Sequence, residues 1–300
     1  MFDTSRLYLS DFRVALGEIV ALAELNDADV VANRDMLRES GAVSASVFDG
    51  RAVVHAAELL RAVSEDRPGE VTAMVHATEN LEHTPPHELL GTLQSQSGHE
   101  RTPAFIVTGN GCGNFGFAVL AAAGQCREVG PAAVVASDAA RPDRRILADS
   151  MTVLGDAAGV CVVTREQPPG PSFELVALRS TAQTPPPGPL PATAALRSVI
   201  NGVSAATRAS LKAAGWTAQE AAGMLIGAYS TGSRRFLAHA SGIAHHFVPD
   251  LQAGHCFSVD AIRGLAELTD RDALPDGAPV LVLTSNRWAY SVLALRYRIR

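Results

Sequence analysis

Residues 105–124 constrain the fold more than any other stretch, because an apolar run, a glycine-rich turn and a second apolar run follow one another there. The run Ala104–Val107 predicts a buried strand, and the alanine-rich residues 115–124 predict a helix. The turn between them places Cys112 at a helix N-terminus, where backbone N–H groups and the helix dipole favour an anion. We expect this position to lower the thiol pKa from its usual value of about 8.5 and to make Cys112 a nucleophile.

Two other interpretations of this stretch are open at this point. In the first, Cys112 is a small buried hydrophobic residue without chemistry, as most free cysteines are. In the second, Gly111, Gly113 and Gly116 form the G-x-G-x-x-G turn that binds a dinucleotide between a strand and a helix. Asp138 ends the next apolar run and is the acidic residue that this motif requires about 20 residues further on.

The composition restricts the class of protein. With 300 residues, 47% of them hydrophobic, the chain can form one large domain or two fused halves around a substantial core. The net charge of −6 argues against a nucleic-acid partner. The four cysteines show no C-x-x-C pair and no metal-type spacing, so we expect free thiols in a reducing cytoplasm. Neither a signal peptide nor a transmembrane helix is expected, since no such apolar segments occur.

Strand and helix patterns alternate along the chain and favour a layered α/β architecture. Residues 167–172, Gln-Pro-Pro-Gly-Pro-Ser, interrupt this pattern. We therefore divide the chain into an N-terminal half, residues 1–170, which contains the nucleophile, and a C-terminal half, residues 171–300. A proline-rich linker is predicted at 184–191. The spacing of apolar residues in the first 30 residues predicts no particular element.

Four segments together resemble the thiolase superfamily, specifically its ketoacyl-ACP synthase III branch. They are the cysteine turn at 111–115, the Ser-Asp end of the apolar run at 134–138, the sequence Gly-Asp-Ala-Ala-Gly at 155–159, and Gly254–His255 before a predicted helix. The resemblance implies a thiolase-like fold of two similar α/β halves in five layers. It also implies a homodimer, or a heteromer with another ketosynthase, that acts on acyl-CoA or acyl carrier protein without a cofactor, metal or membrane.

The resemblance implies roles for individual residues. Cys112 is the nucleophile that forms an acyl-enzyme, and its backbone N–H binds the oxyanion together with Asn286, which stands in the family's glycine-rich run. His255 occupies the position of the family's asparagine, and Tyr229 that of the family's histidine. We expect His255 to act as the base. Tyr229, with an ordinary pKa near 10, is expected to donate a hydrogen bond rather than accept a proton.

Arginines are expected around the substrate entrance. Arg144, Arg145 and Arg234 would bind coenzyme A phosphates or an acidic carrier protein, although a solvated charged face explains them equally well.

Since the family stabilises an enolate with both histidine and asparagine, the single imidazole in this chain favours a different reaction. We expect acyl transfer to a carbon, oxygen or nitrogen nucleophile, in fatty-acid-like or secondary (polyketide) metabolism, or condensation of unusual substrates. The alternative is a catalytically degenerate ketosynthase-like partner subunit that binds acyl groups without turnover. A dinucleotide-binding oxidoreductase is the less favoured third possibility.

Overall fold

The structure, a computed structural model, describes residues 6–67, 70–81, 84–141, 143–184, 192–271 and 274–299. The helices in these ranges are α1 (Ala28–Glu39), α2 (Ala52–Asp66), α3 (Pro86–Ser97), α4 (Asn114–Glu128), α5 (Ala192–Ala214), α6 (Thr231–Ser241) and α7 (Val259–Asp270). The strands are β1 (Tyr8–Leu16), β2 (Glu18–Ala21), β3 (Ser44–Val47), β4 (Ala73–Ala77), β5 (Ala104–Val107), β6 (Ala132–Asp138), β7 (Ile146–Leu147), β8 (Thr152–Val153), β9 (Ala157–Thr164), β10 (Ser172–Ala182), β11 (Gly223–Leu225), β12 (His246–Phe247), β13 (Pro279–Ser285) and β14 (Ala289–Arg298). The sequence also predicts a loop at 77–86. Its residue His83, and the predicted linker beyond Thr184, lie outside the described residues.

Ten of these strands form one mixed sheet in the order β12-β11-β13-β14-β10-β1-β9-β6-β4-β5. The antiparallel pairing of β1 with β10 joins the two halves of the sheet. Counted outward from this pairing, the first half has the order β1, β9, β6, β4 and β5, and the second half has the order β10, β14, β13, β11 and β12. The same order of first, fifth, fourth, second and third strand along the chain therefore occurs in both halves. The sheet therefore consists of two similar halves, whereas the predicted boundary between residues 170 and 171 stays a prediction.

Helices lie on both faces of each half and complete five layers. α4 and α7 form the middle layer, where their buried side chains pack against strands of both halves. α2 and α3 cover the outer face of the first half, and α5 and α6 cover that of the second. The predicted α/β class and the layered arrangement are confirmed, and the N-terminal ends of α4 and α7 carry the residues of the candidate site.

The strand–turn–helix around Cys112 is confirmed, with one turn of 3-10 helix, Gly111–Gly113, leading directly into α4. Close packing explains the glycine in the first turn of α4. A Cβ atom on Gly116 would lie 2.3 Å from the Cβ of Ser291 and 2.9 Å from the Oγ1 of Thr284. Glycine at this position therefore lets α4 approach the second half of the sheet.

The two apolar strands near Cys112 differ in burial. β6 is buried at every residue between β4 and β9, as its continuous apolar sequence predicts. The strand predicted at β5 is confirmed, but its predicted burial is wrong, because β5 is the last strand of the sheet and pairs only with β4 among the described residues. Phe105 in β5 is 42% exposed.

The sequence predicts no element at β1, although this strand lies at the centre of the sheet. A bulge in its pairing with β9, between Ser10 and Arg13, explains the difference. Asp11 lies in this bulge with a left-handed φ of +55°, and its carboxylate pairs with Arg67 at 3.1 Å. An extra residue interrupts the alternation of apolar and polar positions from which a strand is predicted.

Among the helices in the described ranges, none combines the length and apolarity that a bilayer crossing requires.

Candidate active site

Cys112, His255 and Asp260 form a continuous chain of polar contacts. The Sγ of Cys112 lies 2.9 Å from the Nε2 of His255, and the Nδ1 of His255 lies 2.5 Å from the Oδ2 of Asp260. His255 is 1% exposed and Asp260 is 2% exposed, so the imidazole and the carboxylate interact with little competition from water. In such an arrangement the imidazole takes the proton of the nucleophile, and the carboxylate fixes the imidazole tautomer.

The Gly-Asp-Ala-Ala-Gly turn holds the backbone of His255. The N–H of Gly155 donates to the carbonyl oxygen of His255 at 3.0 Å, and the N–H of His255 donates to the carbonyl oxygen of Val153 at 2.9 Å. A Cβ atom on Gly155 would lie 1.8 Å from the carbonyl oxygen of Ala253, so only glycine lets the two segments meet. Two of the segments that carry the family resemblance therefore meet at the backbone of His255.

Asp260 is a site residue that the sequence analysis missed. It lies in the first turn of α7, and its carboxylate accepts hydrogen bonds from the N–H groups of Ala228 at 2.7 Å and Cys256 at 3.1 Å. Burial by itself raises the pKa of Asp260, but Arg263 at 3.0 Å and then His255 lower it below the usual value. In the sequence, Asp260 is an acidic residue at the start of a predicted helix. Such residues are common there because they interact favourably with the helix dipole, so the sequence alone does not indicate a role in the site.

The environment of the Cys112 thiol differs from the sequence-based expectation. Burial raises the pKa of Cys112 well above its usual value, and the carboxylate of Glu79 raises it further. The Oε2 of Glu79 lies 3.7 Å from the Sγ of Cys112. The expectation of a lowered thiol pKa is therefore wrong, because desolvation outweighs the helix N-terminus. Consequently the thiol needs a base to become a nucleophile, and the imidazole of His255 is in contact with it.

The carboxylate of Asp138 is not available to bind the ribose of a dinucleotide. Asp138 is fully buried, and its Oδ1 accepts hydrogen bonds from the Oγ1 of Thr78 and from the N–H groups of Glu79 and Asn80, at 2.8–2.9 Å. These bonds fix the loop after β4 instead of leaving a carboxylate for a ribose. Together with the packing role of Gly116, they remove the basis for a dinucleotide fingerprint.

The same loop brings Glu79 to the site, a second residue that the sequence analysis missed. Glu79 as a residue is exposed, but its carboxylate is turned toward Cys112, where desolvation raises the pKa of Glu79. Nothing in the sequence distinguishes this glutamate from other loop carboxylates. Its position depends on the end of β4 and on the buried Asp138, which is 59 residues from Glu79 in the chain.

Tyr229 lies in the site with Cys112 and His255. Its ring packs against the imidazole of His255 with a centroid distance of 4.1 Å and an interplanar angle of 30°. The phenol hydroxyl donates to the carbonyl oxygen of Ser285 at 3.1 Å. Burial raises the pKa of Tyr229 well above its usual value, so the phenol stays protonated near neutral pH.

Asn286, expected at the oxyanion hole, forms the turn between β13 and β14. Its side-chain oxygen accepts hydrogen bonds from the N–H groups of Trp288 and Ala289, both at 2.6 Å. Its own N–H donates to the carbonyl oxygen of Ala289 at 2.9 Å. The side-chain oxygen and the backbone N–H of Asn286 therefore both have partners within the hairpin. The proposed oxyanion site does not include Asn286 and has the N–H of Cys112 as its donor.

Arg145 lies away from solvent and cannot contribute to a substrate entrance. It is 6% exposed, and its guanidinium pairs with the carboxylates of Asp27 and Asp156, each at 3.1 Å. Asp156 belongs to the Gly-Asp-Ala-Ala-Gly turn, so Arg145 stabilises the turn that holds the backbone of His255. We therefore remove Arg145 from the predicted substrate-binding residues.

The other two arginines are accessible to different degrees. Arg144 is exposed, and its charge lowers the pKa of Glu79, opposing the effect of burial there. Arg234 is half-buried in the first turn of α6 and donates to the Oγ1 of Thr231 at 3.2 Å. Of the three arginines, Arg144 is the one that the structure links electrostatically to the site.

A small cavity lies beside the reactive groups. Its volume is about 10 Å³, about the room that one water molecule needs. The lining combines the reactive side chains with an apolar wall, and comprises Cys112, Leu225, Ile226, Gly227, Tyr229, His255, Phe257, Asp260, Ala261, Leu283, Thr284 and Ser285.

Known structures share this fold over nearly the whole chain. The acyltransferase ChlB3 is 19% identical, with 98% of each chain covered and a TM-score of 0.79. The 3-oxoacyl-[acyl-carrier-protein] synthase III of Aquifex aeolicus is 16% identical, with 97% of this chain and 99% of that chain covered and a TM-score of 0.76. The tetronic acid condensing enzyme AbyA1 is 16% identical over 97% and 99%, with a TM-score of 0.74. No protein-family model and no curated protein sequence matches the chain. The chain therefore has the thiolase-like fold of the ketoacyl-ACP synthase III enzymes.

Proposed function

We propose that the protein transfers an acyl group from a thioester to a hydroxyl or amine nucleophile through an acyl-enzyme on Cys112. The contact chain from Cys112 through His255 to Asp260 is the observation that carries this proposal. The similarity in fold to the acyltransferase ChlB3 supports it. Because all three chemical groups are present and in contact, the chain is better suited to catalysis than to the role of a degenerate partner subunit.

In the first step, the Nε2 of His255 takes the proton of the Cys112 thiol as the sulfur attacks the thioester carbonyl. The bond from the carbonyl carbon to the departing sulfur then breaks. The imidazolium returns its proton to that sulfur, so coenzyme A or the carrier protein leaves as a thiol. The N–H of Cys112 stabilises the oxyanion of the tetrahedral intermediate. The carboxylate of Asp260 stabilises the imidazolium formed between these events.

In the second step, His255 takes the proton of the acceptor hydroxyl or amine while the acceptor attacks the acyl carbon. The bond to the Cys112 sulfur breaks, and the proton passes from the imidazolium back to that sulfur. The carboxylate of Glu79 offers a second hydrogen-bond acceptor beside the sulfur, to which such an acceptor group can donate. Side chains of this chain carry out every proton transfer, and the proposed reaction uses the thioester as its substrate and no cofactor.

Decarboxylating condensation requires a different site. By the family resemblance, an enolate is stabilised there by hydrogen-bond donors from a histidine and an asparagine. In this chain the phenol of Tyr229 donates to Ser285, and the imidazole of His255 is engaged by Cys112 and Asp260. The site therefore has one imidazole, engaged by Cys112 and Asp260, and one phenol, whose hydrogen bonds go to Ser285 and the Cys112 sulfur, beside two carboxylates. This arrangement favours plain acyl transfer.

The acyl donor is proposed to be acyl-CoA or an acyl carrier protein, in fatty-acid-like or secondary metabolism within the cytoplasm. Arg144, exposed beside Glu79, is the arginine placed to meet a phosphate. The protein itself can be tested with acetyl-CoA, with water as the accepting nucleophile, by following the release of free coenzyme A.

The two reactions are distinguished by adding malonyl-CoA labelled in its free carboxylate. We expect release of coenzyme A from acetyl-CoA without release of labelled carbon dioxide. Labelled carbon dioxide formed together with a ketoacyl thioester would show condensation and contradict the proposal. A protein boiled before the assay, and the same mixture without acetyl-CoA, give the background rates.

We further propose a homodimer. Among the described residues, β5 ends the sheet with an unpaired edge that carries the exposed Phe105, and a second copy of the chain can cover this edge. We expect light scattering at micromolar concentration to give twice the chain mass of 31.4 kDa. Phe105→Lys is expected to give a monomer, since a charge on an edge strand opposes pairing. Val129→Lys, at a 63% exposed apolar residue after α4, is the control and should stay dimeric. A wild-type monomer would contradict this proposal.

A further inference from the structure

Arg263 is a buried arginine whose guanidinium lies behind the candidate active site. It belongs to α7, is 4% exposed, and pairs with the carboxylate of Asp260 at 3.0 Å. Burying a guanidinium costs free energy unless counter-charges and hydrogen-bond acceptors surround it. The chain nevertheless holds this cation in contact with the carboxylate that binds the proposed base.

The two oxygens of the Asp260 carboxylate face different partners. Its Oδ2 lies 2.5 Å from the Nδ1 of His255, whereas its Oδ1 lies 3.0 Å from the Nη2 of Arg263. The N–H of Ala228 donates to Oδ2, and the N–H of Cys256 donates to Oδ1. The carboxylate therefore cannot rotate without losing these contacts, and the imidazole and the guanidinium share its negative charge.

Arg263 also contacts the backbone that carries the imidazole. The carbonyl oxygens of Asp250 and Gly254 accept hydrogen bonds from its Nη2, at 3.0 Å and 3.3 Å. Its Nη1 lies 3.2 Å from the Sγ of Cys256. Gly254 and Cys256 are the two chain neighbours of His255, so one guanidinium contacts both neighbours of the base and the carboxylate that binds it.

We propose that Arg263 is a positioning residue that acts through Asp260 and sets the pH range in which His255 can serve as the base. Burial raises the pKa of Asp260, and the charge of Arg263 lowers it. His255 and Asp260 are in contact and therefore take up protons as one pair. Without the guanidinium, this pair holds an additional proton up to a higher pH, and in that form it cannot accept the proton of Cys112. The inference rests on the proposed acyl transfer and deepens it.

Other titratable groups near the pair cannot replace this cation. Besides Arg263, they are Cys112, Cys256, Tyr229, Glu79 and Asp138. Burial raises the pKa of both thiols and of the phenol, so these three groups are uncharged near neutral pH. The two carboxyl groups can add only negative charge. Among the described residues, Arg263 is therefore the cation that contacts Asp260 besides the imidazole itself.

The test is the pH dependence of Cys112 acylation by acetyl-CoA, followed by intact-protein mass. Arg263→Met and Arg263→Gln remove the charge. In both, we expect the midpoint of the acid limb to move upward by at least about one pH unit, the effect of one close charge. Below both midpoints the rate then falls about tenfold more than on the plateau. Arg263→Gln keeps an amide that can donate to Asp260, and it provides a neutral variant if Arg263→Met does not fold.

Two further variants separate charge from structural support. Arg263→Lys keeps the charge but not the planar guanidinium, so its midpoint should stay within about 0.3 pH unit of the wild type even where its plateau rate is lower. Arg145→Met removes another buried arginine, one that pairs with Asp27 and Asp156 rather than with Asp260. It should lower the melting temperature and the rate at every pH, and leave the midpoint within about 0.3 pH unit.

A second measurement does not depend on a thioester. The pH dependence of Cys112 alkylation by iodoacetamide, located by peptide mapping, should show the same upward shift, because the sulfur passes its proton to the same imidazole. Folded, neutral Arg263 variants with the wild-type midpoint in both reactions would overturn this inference. An equal shift in Arg145→Met would overturn it as well. A wild type that acetyl-CoA does not acylate would contradict the proposed function, and the alkylation profile would still decide the role of Arg263.

Discussion

Cys112→Ala is expected to reduce the enzyme-dependent release of coenzyme A from acetyl-CoA by at least about 10⁴-fold, a loss typical of removing a nucleophile from a catalytic triad. The reason is that the acyl-enzyme cannot form without the sulfur, while His255 and Asp260 keep their contact with each other. The measurement is the rate of thiol release with a chromogenic thiol reagent, together with the melting temperature. Since only the small side chain at 112 changes, we expect the variant to remain folded.

The control for this prediction is Cys126→Ala. Cys126 is another buried free cysteine, in the last turns of α4, and is not among the residues that line the cavity. Its removal should leave the rate of coenzyme A release within about twofold, since surrounding packing changes modestly. A Cys112→Ala protein that retains a tenth of the wild-type rate would show that another group forms the covalent intermediate.

His255→Ala is expected to slow both the acylation of Cys112 and the subsequent hydrolysis by about 10²–10⁴-fold, the usual contribution of a positioned base. Acylation slows because burial and Glu79 raise the pKa of the thiol, which therefore loses its proton less readily without the imidazole. Hydrolysis slows because the attacking water then has no base to take its proton. Rapid-quench measurement of acyl-enzyme formation, and of its decay after removal of free thioester, times the two steps separately.

Tyr229→Phe is the matched comparison for the imidazole. It keeps the ring that packs on His255 and removes a hydroxyl that donates to Ser285 and also interacts with the Cys112 sulfur, where it lowers the thiol pKa. We expect less than about a tenfold change in either step, the effect of one neutral hydrogen bond. If Tyr229→Phe slows hydrolysis more than His255→Ala, the phenol performs the function of the family histidine, and the proposed roles of Tyr229 and His255 are wrong.

Local sequence patterns predict elements where one physical cause dominates. The apolar residues of 192–214 repeat at helical spacing and predict one long helix, and the structure has α5 with these bounds, packed by its apolar side against the second half of the sheet. β6 is predicted from a continuous run of small apolar residues, a pattern typical of a strand that is covered on both faces. In β1, by contrast, the bulge at Asp11 breaks the alternation, and the pairing with β9 and β10 that stabilises the strand is not visible in its own sequence.

The sequence predicts those site residues that lie in segments with a recognisable local pattern. Cys112, His255 and Tyr229 come from three separate segments, and the structure brings them together. Asp260 and Glu79 were missed because their roles depend on contacts between segments. For Asp260 these are the N–H groups and the guanidinium around its carboxylate, and for Glu79 the anchoring of its loop by Asp138.

The direction of the thiol pKa could not be predicted for a similar reason. The helix N-terminus is visible in the sequence and favours the thiolate, whereas the burial of Cys112 and the nearby carboxylate of Glu79 are properties of the assembled site. In the assembled site, these two effects outweigh the dipole. Arg145 illustrates the same limit, since its place beside Arg144 in the chain gives no sign that it is buried against Asp27 and Asp156.

The most direct test of the acyl-enzyme is intact-protein mass spectrometry after brief mixing of the wild type with acetyl-CoA, followed by peptide mapping. The proposal predicts a mass increase of one acetyl group, located on the peptide that contains Cys112 and lost again as the thioester is consumed. A wild-type protein that gains no acetyl group, or one whose acetyl group lies on a residue other than Cys112, would contradict the central claim.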